Sequence, residues 1–74
     1  TLNKRFFSSF KKIKNNTIFF ATNIDKKIIL KINKINCGIL ITDKFVPKIK
    51  HNIIQIIKKN PKYFFFNLIN NFYK

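Results

Sequence analysis

Thr17-Ile18-Phe19-Phe20-Ala21-Thr22-Asn23-Ile24-Asp25 is the stretch on which the fold turns. β-branched and aromatic residues run into an asparagine, and a lysine-rich amphipathic segment follows. The pattern predicts a buried strand over Thr17–Ala21 that ends at a helix N-cap, Asn23, with Asp25 in the first turn where a carboxylate complements the helix dipole. In open α/β folds, ligands gather at such strand-to-helix corners. Phe20 offers a ring at the strand end, and Asn23 offers an amide where the helix begins.

Downstream, Ile28, Ile29, Ile32 and Ile35 recur at helical spacing, with Lys26, Lys27, Lys31 and Lys34 mostly on the other side. Isoleucine is a mediocre helix former, so burial and not propensity carries this helix, which ends at Asn36. Cys37-Gly38-Ile39-Leu40-Ile41-Thr42 is an unbroken apolar run, expected as a strand covered on both faces. Asp43-Lys44 opens a loop, and Pro47 keeps it irregular as far as His51. Asn52–Ile57 reads as a third strand. Asn60-Pro61, a cap residue followed by proline at the first helical position, starts a second helix through Tyr63–Tyr73, with Phe65, Leu68, Ile69 and Phe72 in register. Upstream, Leu2, Phe6, Phe7, Phe10 and Ile13 punctuate a basic segment. Ser8-Ser9 would cap a short helical turn over Phe10 and Ile13, and Asn15-Asn16 marks a turn. The order strand, helix, strand, strand, helix defines a small single α/β domain over residues 1–74, with at least one right-handed crossover.

Seventy-four residues bury barely enough surface for one domain. The chain opens on Thr1, which is read as a fragment or a processed piece of a longer protein. A net charge of +14 suggests a polyanion, either nucleic acid or an anionic membrane. Yet Lys, Asn, Ile and Phe make up 51 of the 74 residues, and all four are encoded by AT-rich codons. Arginine, the residue best suited to bidentate phosphate and guanine contacts, occurs once. The charge is therefore weak evidence for nucleic acid. A single cysteine, Cys37, in an apolar run fits a buried thiol in a reducing compartment. No apolar run nears the roughly 18 residues of a membrane span, and the basic start lacks the apolar core of a secretory signal. The cytoplasm is the expected location.

Catalytic chemistry has little to work with. Asp25 and Asp43 lie in different elements, each with a local structural role, so no carboxylate pair forms. His51 sits in a lysine-rich loop, Cys37 has no histidine near it in sequence, and one Cys with one His cannot build a metal site. No glycine-rich phosphate loop exists, since Gly38 is the only glycine. Ten phenylalanines among lysines suit a single-strand binding surface, but Phe19, Phe65 and Phe72 fall where the patterns already bury them. Phe20 and Tyr63, at the edges of their elements, are left open.

The ordered landmarks resemble the N-terminal, uridine-binding domain of UDP-3-O-(3-hydroxyacyl)glucosamine N-acyltransferase, an enzyme of lipid A synthesis. Ser9-Phe10-Lys11-Lys12-Ile13 matches its serine–apolar element, and Asn16-Thr17-Ile18-Phe19-Phe20 its glycine-led strand. Ala21-Thr22-Asn23-Ile24-Asp25-Lys26 follows where the family has two residues and then Asn-Pro-Lys-Tyr. Cys37-Gly38-Ile39-Leu40-Ile41 resembles a later strand, allowing about one inserted residue. Lys59-Asn60-Pro61, Phe65-Phe66-Asn67-Leu68 and Phe72 resemble the closing strand and helix. The likeness spans nearly the whole chain and rests on spacing more than on any one motif.

The resemblance implies a fold like the N-terminal domain of Mur ligases. It also implies a uridine site in which the aromatic at Phe20 and a tyrosine six residues later flank the uracil. The Asn23 amide, donor and acceptor together, then meets the base edge. Lys26 stands in the tyrosine's place, so half of the ring clamp is absent and a phosphate-seeking cation takes its position. Asn16 replaces the family's glycine and Ile24 its proline. By the same resemblance the substrate is a UDP-acylglucosamine and the acyl donor an acyl carrier protein thioester, with no cofactor. The catalytic histidine and the homotrimer belong to a following hexapeptide-repeat domain that is absent from this sequence, and His51 is not that histidine. Two other classes stand beside this reading: a basic RNA-binding or ribosomal-type protein, and the N-terminal domain of a Mur ligase.

Overall fold

Three short strands form a parallel sheet, and their side chains explain why both faces are covered. The computed structural model describes residues 6–72, so Leu2 and Tyr73 lie outside the described residues. In chain order the elements are β1 (Ile18–Phe20), α1 (Lys26–Ile32), β2 (Gly38–Thr42), β3 (Ile53–Ile57) and α2 (Pro61–Phe72). The expected strand, helix, strand, strand, helix order is therefore present. The sheet order is β1-β2-β3 with every pairing parallel. Phe19 is paired with Leu40, and Leu40 in turn with Gln55.

Strand alternation sorts the apolar residues into two cores. On one face Phe19, Leu40 and Ile53 meet Ile32 of α1, Ile35 just beyond it, and Ile49 of the β2–β3 connection. On the other, Ile41 meets Phe7, Phe65 and Ile69, with Ile18, Phe20 and Ile56 packed around them. β2 lies at the centre, and its Leu40 and Ile41 have no exposed surface. This is the strand buried on both faces that its continuous apolar run predicts.

Several boundaries differ from expectation for physical reasons. α1 is capped by Asp25 and not by Asn23: the Asp25 carboxylate accepts from the Ile28 amide at 3.0 Å. Asn23 instead takes a left-handed conformation, φ 52°, to turn the chain out of β1. Asparagine is among the few residues that tolerate this conformation. The helix closes at Ile32 and not at Asn36, and the stripe continues past it as turns that still bury Ile35. Cys37 precedes β2, half-buried, with its thiol donating to the Asn16 side-chain oxygen. Phe72, expected in the core, is more than half exposed and lies edge-on to Phe7 and tilted against Phe6.

Residues 8–13 form no capped helical turn. Phe6–Ser8 lies along the open edge of β1 instead: the Ile18 amide donates to the Phe6 carbonyl at 2.7 Å, and the Ser8 amide to the Ile18 carbonyl at 3.1 Å. An unpaired strand edge is a template for such pairing, and here the chain covers its own edge. A tight turn follows, closed by the Lys12 amide on the Ser9 carbonyl at 3.0 Å.

Candidate functional site

The β1–α1 corner lies at the carboxyl edge of the sheet, where parallel topology leaves strand ends open. Phe20 ends β1, and the next amide, Ala21, still donates to the Ile41 carbonyl at 3.0 Å, which ties the corner to β2. Asn23 follows in its left-handed turn, and Lys26 is the first residue of α1. All three lie within seven residues of chain, and Asn23 and Lys26 are exposed.

Their side chains do not share one cavity. Phe20 is on the α2 face of the sheet, its ring centroid 4.9 Å from that of Phe65 and 5.9 Å from that of Phe66. It lines a groove of about 500 Å³ with Phe7, Phe10 and Phe66. Asn23 lines a separate hollow of about 380 Å³ with Ile24, Thr42, Asp43, Lys44, Phe45, Val46 and Pro47. Lys26 lines neither of these two hollows. The split follows from the period of the strand, which gives Phe20 the face opposite to Phe19.

Sequence reasoning passed over Phe45. It follows the β2 exit in an irregular loop, belongs to no period, and is about two-thirds exposed in the same hollow as Asn23. Its signal was available: a phenylalanine two residues before a proline, in a stretch where no helix or strand would bury it. The loop itself is held by two side-chain amides. Gln55 receives the Val46 amide at 2.8 Å and donates to the Val46 carbonyl at 2.9 Å. Asn33 donates to the Lys48 carbonyl and accepts from the Lys50 amide, each at 3.0 Å. The loop is thus anchored to the C-cap of α1 and to β3, and the hollow combines an amide, a ring and a lysine.

Elsewhere the reactive side chains are dispersed. His51 is exposed in the turn that leads into β3. Among the described residues no group of three or more His, Cys, Asp or Glu is placed to hold a metal ion. No described helix is long and apolar enough to cross a membrane. No protein-family model, curated protein or solved structure matches the chain at a significant level.

Proposed function

We propose that this chain is the uridine-reading domain of a UDP-3-O-acylglucosamine N-acyltransferase, with a fold of the Mur-ligase N-terminal kind. In this reading it holds the UDP-acylglucosamine while a hexapeptide-repeat domain transfers the acyl group from acyl carrier protein. The observation that carries the reading is the β1–α1 corner at the carboxyl edge of a parallel sheet, with the Asn23 amide presented there by a left-handed turn. Asn23 reads the base edge, Phe20 supplies the ring at the end of β1, and Lys26 meets the diphosphate. Because Phe20 and Asn23 open to different hollows, the ligand straddles the rim of the corner. Asn16 adds support: it stands where the family has glycine, and its φ is 58°, a conformation in which glycine is at ease.

The test is a UMP titration of the chain followed by amide chemical shifts. Saturable binding centred on residues 20–26 is expected, with a loss of roughly tenfold in Asn23→Gly, which keeps the left-handed turn and removes the amide. Phe20→Ala should weaken binding similarly. A polyanion binder would behave otherwise: affinity for RNA would fall steeply with salt and ignore both substitutions. That outcome would replace the uridine reading with the RNA one.

A further inference from the structure

The groove on the α2 side of the corner has a chemistry of its own. Its floor is a cluster of rings: Phe65 lies 5.8 Å from Phe7, 4.9 Å from Phe20 and 5.4 Å from Phe66, centroid to centroid. Most of these rings meet edge to face or tilted, so together they form a continuous hydrocarbon surface. Phe10 stands at the side, with the Lys31 ammonium 4.5 Å from its ring centre. The remaining lining is Ser8, Ser9, Lys11, Lys12 and Lys14, and these three lysines are exposed. The only acids of the chain, Asp25 and Asp43, are not among the lining residues. At about 500 Å³ the groove falls in the range of small-molecule sites, which are mostly apolar with a few placed polar groups.

We propose that this groove binds a single-chain anionic amphiphile, with the alkyl chain on the phenylalanine floor and a carboxylate or phosphate head on Lys11, Lys12 and Lys14. An apolar floor with a rim whose charged groups are all lysines complements that ligand class, repels a cationic head and gives a neutral one no ionic partner. The site shares Phe20 with the uridine reading, but Asn23 and Lys26 take no part in it, so the two are tested separately.

Dodecyl phosphate, kept below its micelle concentration, is the probe, and the 74-residue chain is titrated by calorimetry and amide shifts. Saturable one-to-one binding is expected, with shifts at residues 7–14 and 65–66. Dodecanol and dodecyltrimethylammonium should bind at least roughly tenfold more weakly. The combined variant Lys11→Glu, Lys12→Glu, Lys14→Glu should lose roughly tenfold or more, and Phe66→Ser, which alters an exposed helix position, should also weaken binding. Far-ultraviolet circular dichroism checks that both variants are folded, and Asn23→Gly should bind dodecyl phosphate as the parent does. Equal affinity for the three head groups, indifference to the lysine reversals, or binding only to phosphatidylglycerol vesicles would each overturn the proposal, the last in favour of a membrane surface.

Discussion

Gly38 shows how a single residue sets the spacing between layers. A Cβ at this position would lie 3.0 Å from Ile35 Cδ1, 3.1 Å from the Thr17 carbonyl oxygen and 3.3 Å from Phe19 Cε1. The isoleucine tip can rotate aside. The Thr17 carbonyl cannot, since it accepts the Ile39 amide at 3.0 Å and so belongs to the sheet ladder. Gly38→Ala is therefore expected to destabilise the chain by about 1–3 kcal/mol, through overpacking and not through backbone conformation. A lower urea midpoint with an unchanged slope would show it. Phe19→Ala should cost about 3–5 kcal/mol, because the ring is wholly enclosed between β1 and the α1 side. In a domain of this size that loss approaches the whole stability, so the variant should be largely unfolded by circular dichroism.

At the scale of elements, α1 is the weakest part and its cap matters most. Seven residues beginning Lys26-Lys27 set two cations against the helix dipole and are too few for a helix to persist alone. Asp25→Ala should cost about 1 kcal/mol by removing the bond to the Ile28 amide. Asn23→Gly should be neutral or slightly stabilising, since glycine fits φ 52° without the steric penalty other residues carry. Comparing the two thermal midpoints distinguishes Asp25 from Asn23 as the cap. The sequence pattern puts the cap at Asn23 and Asp25 in the first turn, and it misses the true cap because asparagine suits a cap and a left-handed turn alike. β2, β3 and α2 were legible for a plainer reason: the unbroken apolar run of β2, the isoleucine-rich stretch of β3 and the Asn60-Pro61 start have one sensible reading each. The Phe6–Ser8 pairing was not legible, since it depends on the free edge of β1 and leaves no periodicity in the sequence. The corner was legible as a junction of strand and helix, but the separation of Phe20 from Asn23, and the placement of Phe45 beside Asn23, depend on which face each side chain takes after folding. Gln55 is similar: a polar residue inside an isoleucine run, it earns its place by closing both bonds of Val46. Gln55→Leu should leave that amide and carbonyl without their partner, cost about 1–3 kcal/mol and speed hydrogen exchange at Val46.

For the whole molecule the decisive quantity is charge density. A net +14 is carried on a body of 35 × 24 × 19 Å, and two carboxylates cannot neutralise sixteen cations. Unfolding lets the charges move apart, so self-repulsion opposes the folded state. At about 0.01 M salt the screening length is roughly 30 Å and spans the molecule, whereas at about 1 M it is roughly 3 Å and isolates each lysine. Stability should therefore rise with sodium chloride, with a thermal midpoint several degrees higher at the upper end, about 4–8 °C for each kcal/mol of repulsion removed. The direction separates folding from polyanion binding, which salt weakens. Changing Lys11, Lys12 and Lys14 to glutamine supplies the internal check, since these three lie close together in the chain and line the same groove. That variant should begin with a higher midpoint at low salt and gain less from added salt. A parent chain whose midpoint is flat or falls with salt would mean that the lysines are already far enough apart to ignore one another, and the charge would then impose no cost on the fold.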